Sequence, residues 1–214
     1  MTSWQLLYRL LKGAFPDTLY HNERKMTSFE QKNGDIIIHF GEDQKDKSCH
    51  LLMGSDGARS IMHHQLLPQI LSSYVKYVAW RGLVDEKVSS KVLDIFSNKF
   101  NFSIGKKTHV LCYLILSPNG ELSTGMKHLN WVWYVNTSLK DDMFKKVIVD
   151  KNGIIRALSV PAGMVNENIV KEQKTIAHDT LPDIVSASCF CNKRVYTKRF
   201  MIYLFLKWHL IEYV

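Results

Sequence analysis

Apolar residues recur along the first forty positions in two rhythms, and the change of rhythm separates a helix from a pair of strands. Between Trp4 and Phe15, the residues Trp4, Leu7, Leu10, Leu11 and Phe15 fall three or four apart, which lines one face of an amphipathic α-helix. Thr2 or Ser3 is placed to cap its first turn, and Gly13 to mark its exit. From Thr27 the period shortens to two. Thr27–Gln31 and Asp35–Phe40 read as strands of a hairpin hinged on Asn33-Gly34, a pair that accepts the positive φ values of a tight hairpin turn. A third strand, about Ser48–Met53, leads to an Asp-Gly pair at Asp56-Gly57 and then straight into a helix that ends near Pro68.

Past Pro68 the strand rhythm dominates. Tyr77–Val84, Phe102–Gly105, Thr108–Leu116 and Leu129–Asn136 predict a second, mainly antiparallel sheet. Pro118-Asn119-Gly120 opens a longer connection that lets the last two strands pair as neighbours. Alternation places Trp131 and Trp133 on one face of their strand and Tyr134 on the other. Asp142–Val149 and Asn166–Thr175 carry weaker helical patterns. The end differs again: Lys193–Arg199 is basic, and Phe200–Val214 is apolar and aromatic but broken by Lys207, His209 and Glu212. A bilayer span needs about 20 largely apolar residues, so this tail reads as an amphipathic surface helix or a loosely packed end, with no membrane partner.

Composition narrows the class. A 46% hydrophobic and 11% aromatic content supplies a globular core, which argues against disorder. A formal charge of +8 suits an anionic ligand. The charges are interspersed, however: Lys45 and Lys47 alternate with Glu42, Asp43 and Asp46, and Lys145, Lys146 and Lys151 sit among Asp141, Asp142 and Asp150. That pattern makes solvated faces rather than a nucleic-acid stripe, so no nucleic-acid partner is expected. Cys49, Cys112, Cys189 and Cys191 lack zinc-site and disulfide-framework spacings, and the first residues lack a secretory pattern, so a cytoplasmic location is expected. Neither GxSxG nor a Walker-type loop occurs, and adjacent His63 and His64 point about 100° apart on a helix, so no metal site is expected.

Candidate chemistry concentrates in two places. A strand, a tight turn and a helix N-terminus across LLMGSDGARSIMHHQLLP (51–68) would gather backbone N–H groups into an anion site, with Gly57 supplying the turn and Asp56 binding a hydroxyl or capping the helix. Trp80 and Arg81 could stack on and pair with an aromatic acid, and Trp131, Trp133 and Tyr134 could wall a substrate, although tryptophans on alternating strands more often serve a core.

Taken together, TSWQLLYRLLKGAFPDTLYH (2–21), the 51–68 segment and YVAWRG (77–82) resemble the FAD-dependent aromatic hydroxylases, the flavoprotein monooxygenases, with the nearest likeness to the 2,6-dihydroxypyridine 3-monooxygenase type. GKKTHVLCYLI (105–115), LNWVWYVN (129–136) and SVPAGMV (159–165) resemble that type's substrate-binding domain in the same order. The resemblance implies an α/β (α+β) fold: a partial Rossmann-like FAD-binding domain over residues 1–74 and a mainly antiparallel β-sheet substrate-binding domain over 75–186, followed by a tail, 187–214, that does not resemble the family. It also implies FAD as cofactor, NAD(P)H as reductant, a small aromatic or N-heteroaromatic substrate, and a cofactor-contacting role for Asp56 and Gly57. His63 stands where such enzymes commonly carry Arg.

The GxGxxG turn and the Gly-Asp-Ala motif of that family are both absent from the sequence. A chain truncated at both ends and impaired or inactive alone is therefore expected. The alternative expectation is a non-catalytic ligand-binding or protein-interaction module, with self-association through exposed apolar surface.

Overall fold

The computed structural model describes residues 3–41, 44–88, 95–117, 119–121, 123, 125–189 and 195–203. Among these, residues 3–12 and 74–201 form one compact unit, and 13–73 with 202–203 a second, smaller one.

In the smaller unit β1 (Met26–Lys32), β2 (Asp35–Phe40) and β3 (Lys47–Cys49) form an antiparallel sheet in that order. The hairpin turns where the sequence places it, with Asn33 at φ 54° and Gly34 at φ 86°. The third strand is shorter than expected. Its register sets Ile36 opposite Cys49, which leaves only Asp35 of β2 before the turn. The partner strand runs out there, His50 meets the Asp35 carboxylate at 2.8 Å, and Leu51 and Met53 continue as exposed, irregular chain. The expected strand into Met53 is thus corrected to one ending at Cys49. Beyond it lies α2 (Ile61–Leu66), which Gln65 ties to β1 by hydrogen bonds with both the N–H and the carbonyl of Phe29.

The larger unit is built on a six-stranded sheet in the order β5-β6-β7-β4-β9-β8, where β4 is Ser72–Asp85, β5 Asn101–Gly105, β6 Thr108–Ile115, β7 His128–Asn136, β8 Ser159–Val160 and β9 Val195–Tyr203. Strands β5, β6, β7 and β4 pair antiparallel, and β6 and β7 are neighbours across the long loop, as the sequence predicts. Of the tail expected as an amphipathic surface helix or a loosely packed end, Phe200–Tyr203 belong to β9; 204–214 lie outside the described residues.

One face of this sheet holds the core. Val78, Trp80 and Val84 of β4, Val110, Cys112 and Leu114 of β6, and Leu129, Trp131 and Trp133 of β7 pack with Phe144 and Val147 of α3 (Asp142–Val147), Ala177 of α4 (Glu167–Thr180) and Val185 of α5 (Asp183–Cys189). The three indoles are at most 1% exposed. Each removes ~200 Å² from water, worth on the order of 5 kcal/mol as an upper bound. Gly82 makes this packing possible: it faces Trp131 across the β4–β7 rung, and the Trp131 ring passes 2.7 Å from where a Cβ would stand.

Polar groups buried in the unit hold loops. The Glu86 carboxylate accepts the N–H of Gly125 at 2.6 Å and of Lys127 at 2.9 Å, fixing the end of the β6–β7 connection. Asp150, with a fully buried side chain, accepts the N–H groups of Asn152 and Ile154 and pairs with the Arg156 guanidinium at 2.6 Å. Burial pushes the Asp150 carboxyl upward, but the N–H of Ile154, the Arg156 guanidinium and the N–H of Asn152 together hold it below the ordinary carboxylate value.

The opening helix α1 (Trp4–Ala14) is capped by Ser3, whose Oγ accepts the N–H of Leu6 at 3.1 Å. Its docking departs from the helical stripe in the sequence. Leu6, outside that stripe, is the buried residue and packs on Gly120, while Arg9 donates to the Asn119 carbonyl at 2.9 Å.

Candidate functional site

In the smaller unit, Asp56 and Gly57 lie in exposed chain between β3 and α2. Gly57 has φ 74°, the left-handed region that favours glycine, and opens a single 3-10 turn, Gly57–Arg59. The Asp56 carboxylate accepts the Ile61 N–H at 2.7 Å, while the Ser60 hydroxyl caps α2 through the N–H of His63. Slight burial raises the Asp56 carboxyl, and its bonds with Ser60 and the Ile61 N–H outweigh that and hold it below the ordinary value. Asp56 therefore organises the entry to α2. The helix has six residues and follows an antiparallel strand, so the described residues of 13–73 hold no parallel strand–turn–helix unit of the kind that cradles a dinucleotide pyrophosphate.

In the larger unit, Trp80 and Arg81 part company. Trp80 faces the core and pairs across the rung with Trp133, so it supports the sheet and does not line a surface. Arg81, one residue on, projects to the opposite face, in register with Val132 of β7 and, through it, Leu111 of β6. Trp131 and Trp133 likewise belong to the core, and Tyr134 shares the face of Arg81.

That second face carries an aromatic ladder crossing four strands. Tyr77 of β4 meets Tyr134 of β7 edge-on at 5.5 Å, Tyr134 stacks on His109 of β6 at 4.5 Å and 23°, and His109 leans on Phe102 of β5 at 5.4 Å. Tyr113 stacks on Phe100 beside it at 5.0 Å. Burial lowers the His109 pKa below the ordinary imidazole value, because it penalises the charged ring. Burial raises the Tyr134 phenol, opposed by the nearby Arg81 charge. Arg81, the His109 imidazole and the hydroxyls of Tyr77, Tyr113 and Tyr134 thus share a face with the apolar Leu111 and Val132. Such a surface can stack a ring and pair with an ionised substituent on it. At the far end of the same face, His128 pairs with Asp85 at 2.8 Å beside an open cleft of ≈ 380 Å³ lined by Lys87, Ser117, Glu121 and Lys127.

His109 and Tyr77 are the site residues that sequence reasoning missed. The signal was present: alternation through THVLCYLI sets His109, Leu111 and Tyr113 opposite the buried Val110 and Cys112.

Comparison with known proteins agrees with this architecture. No curated protein sequence matches the chain. Among solved structures, 2,6-dihydroxypyridine-3-hydroxylase from Arthrobacter nicotinovorans superposes with a TM-score of 0.73 at 20% identity, over 89% of this chain and 47% of that one. A protein assigned as an FAD-containing monooxygenase from Photorhabdus luminescens subsp. laumondii gives 0.68 at 15% identity, over 94% and 52%. A salicylate hydroxylase in complex with its substrate gives 0.58 at 12% identity, over 91% and 44%. The chain spans about half the length of these structures, and at such identities they establish the fold: mixed helix and antiparallel sheet. The FAD binding domain-like family matches residues 74–189, a segment that includes the four strands bearing the aromatic ladder. With more than half of its length matched, the chain belongs to the FAD binding domain-like family.

Proposed function

We propose that this chain supplies the ring-binding part of an FAD-dependent, NAD(P)H-using monooxygenase acting on a small aromatic or N-heteroaromatic compound. The observation that carries the reading is the grouping of Arg81, His109, Tyr134 and Tyr77 on one face of the sheet within the family-matched segment. Arg81 would pair with an ionised hydroxyl or carboxylate on the ring, and the ladder would hold the ring plane by stacking. A neutral His109 is suited to accept the proton of a ring hydroxyl through an imidazole nitrogen, leaving an electron-rich ring that is easier to attack. Flavin, where bound, supplies the reaction with oxygen. Around Asp56 and Gly57, the Asp56 carboxylate accepts the Ile61 N–H, and the strand that leads to the turn belongs to an antiparallel sheet.

That last observation favours a second reading, in which the chain binds a ring compound without catalysing its oxidation. Titrating the full chain with 2,6-dihydroxypyridine, salicylate and uncharged benzyl alcohol, with and without FAD and NADPH, separates the two. Arg81→Met should weaken the ionised rings about tenfold, the equivalent of ~1.4 kcal/mol, and leave benzyl alcohol nearly unchanged. Ring binding accompanied by bound flavin and NADPH oxidation supports the enzyme; ring binding alone supports the binding module. If Arg81→Met alters no ring affinity, the face is not the site.

A further inference from the structure

Helix α1 turns its apolar stripe outward. Trp4 is 79% exposed, Leu7 40%, Tyr8 51% and Leu11 64%, while the opposite side of the helix is held by Leu6 on Gly120 and by Arg9 on Asn119. The four positions follow the 4-7-8-11 spacing of one helical face, and none of them is charged. We propose that this stripe is a homodimer interface, in which α1 packs antiparallel against α1 of a second copy.

The spacing is self-complementary. A two-fold axis passing between Leu7 and Tyr8 sets Trp4 against Leu11 of the second copy and Leu7 against its Tyr8, so that every large side chain of the stripe meets another. The opposed helix directions also bring the positive end of each helix beside the negative end of the other. At ~200 Å² for each large side chain, the exposed fractions amount to about 500 Å² on each copy and about 1,000 Å² for the pair, the lower bound of a specific interface. A dimer of that size is expected to dissociate in the micromolar range.

Sedimentation equilibrium of the full chain reads the outcome. The mass should rise from 24.8 kDa towards twice that value as the concentration passes through ~10–100 µM. Trp4→Glu and Leu11→Lys should each be monomeric throughout, because each places a charge against an apolar partner twice in the pair. Mixed in equal amounts they should recover association, since one end of the mixed dimer then sets Glu against Lys and the other keeps Trp4 against Leu11. Ile104→Glu, on an exposed position of β5, should associate like the parent chain. A parent chain that stays monomeric at 100 µM overturns the proposal, whether or not it sediments with anionic phosphatidylglycerol vesicles. So does association abolished by Ile104→Glu but not by the α1 substitutions, or a failure of the mixture to recover mass.

Discussion

Replacing Gly82 by alanine adds one methyl group at the tightest point of the sheet. The new Cβ would stand 2.7 Å from Cε2, Cζ2 and Nε1 of Trp131, whereas carbon atoms rest at about 3.5–4.0 Å. About 1 Å of movement is therefore required from a ring that is 0% exposed and wedged among the other core residues of β4, β6 and β7. Overpacking of this kind costs about 1–3 kcal/mol, and full burial of the ring puts Gly82 near the top of that range. Against this, removing a glycine restricts the unfolded chain and returns about 0.4–1 kcal/mol. The net loss should be about 2 kcal/mol, or about 4–8 °C in Tm for a domain of this size. Urea and thermal denaturation followed by circular dichroism measure it, with Gly41→Ala as a control at a position where a Cβ meets nothing within 4 Å. Trp131→Leu removes Cε2, Cζ2 and Nε1, the indole atoms that the added methyl would strike. In that background Gly82→Ala should cost less by at least about 1 kcal/mol, a coupling that a double-mutant cycle reads directly. Unchanged stability in Gly82→Ala, or an equal loss with and without the indole, would refute the reasoning.

Two further outcomes follow from the buried carboxylates. Glu86→Ala leaves the N–H groups of Gly125 and Lys127 without their acceptor and should cost about 1–3 kcal/mol, with faster amide exchange at those two positions ahead of the rest of the sheet. Asp150 has a folded-state pKa below its ordinary value, so its contribution to stability is complete above about pH 4 and is lost as pH falls through the lower folded value. Urea midpoints measured between about pH 2 and 6 should fall more steeply for the parent chain than for Asp150→Asn, which has nothing to titrate there.

Local chemistry was legible wherever a strand or turn depends on its own residues. Asn33-Gly34 fixes the hairpin through φ values that those two residues tolerate, and the alternation of LNWVWYVN separates Trp131 and Trp133 from Tyr134 without reference to any neighbour. What the sequence could not convey depends on partners distant along the chain. Leu51–Met53 has strand composition but no strand to pair with, because β2 begins only at Asp35 and the antiparallel register runs out there. Leu6, rather than the more regular stripe of α1, is buried because the loop bearing Asn119 and Gly120 arrives on that side of the helix. The aromatic ladder is assembled from four strands between residues 77 and 134, and only their register brings His109 against Tyr134 and Phe102. Trp80 and Arg81 show the same limit at the smallest scale: adjacent in sequence, they are divided by the pleat into a core residue and a surface cation.

The row of indoles behind the sheet also gives the molecule an optical readout. Trp80, Trp131 and Trp133 sit dry on one side of the strands whose other side bears Arg81 and the ring ladder, so their emission should lie to the blue and resist iodide, while Trp4 should emit to the red and be quenched. An absorbing ring that settles on the far side lies one sheet thickness from three donors and should dim the blue component by energy transfer. A second molecule covering α1 should instead shield the contribution of Trp4 to the red emission. Two events on separate surfaces of an unlabelled chain would then be told apart by colour.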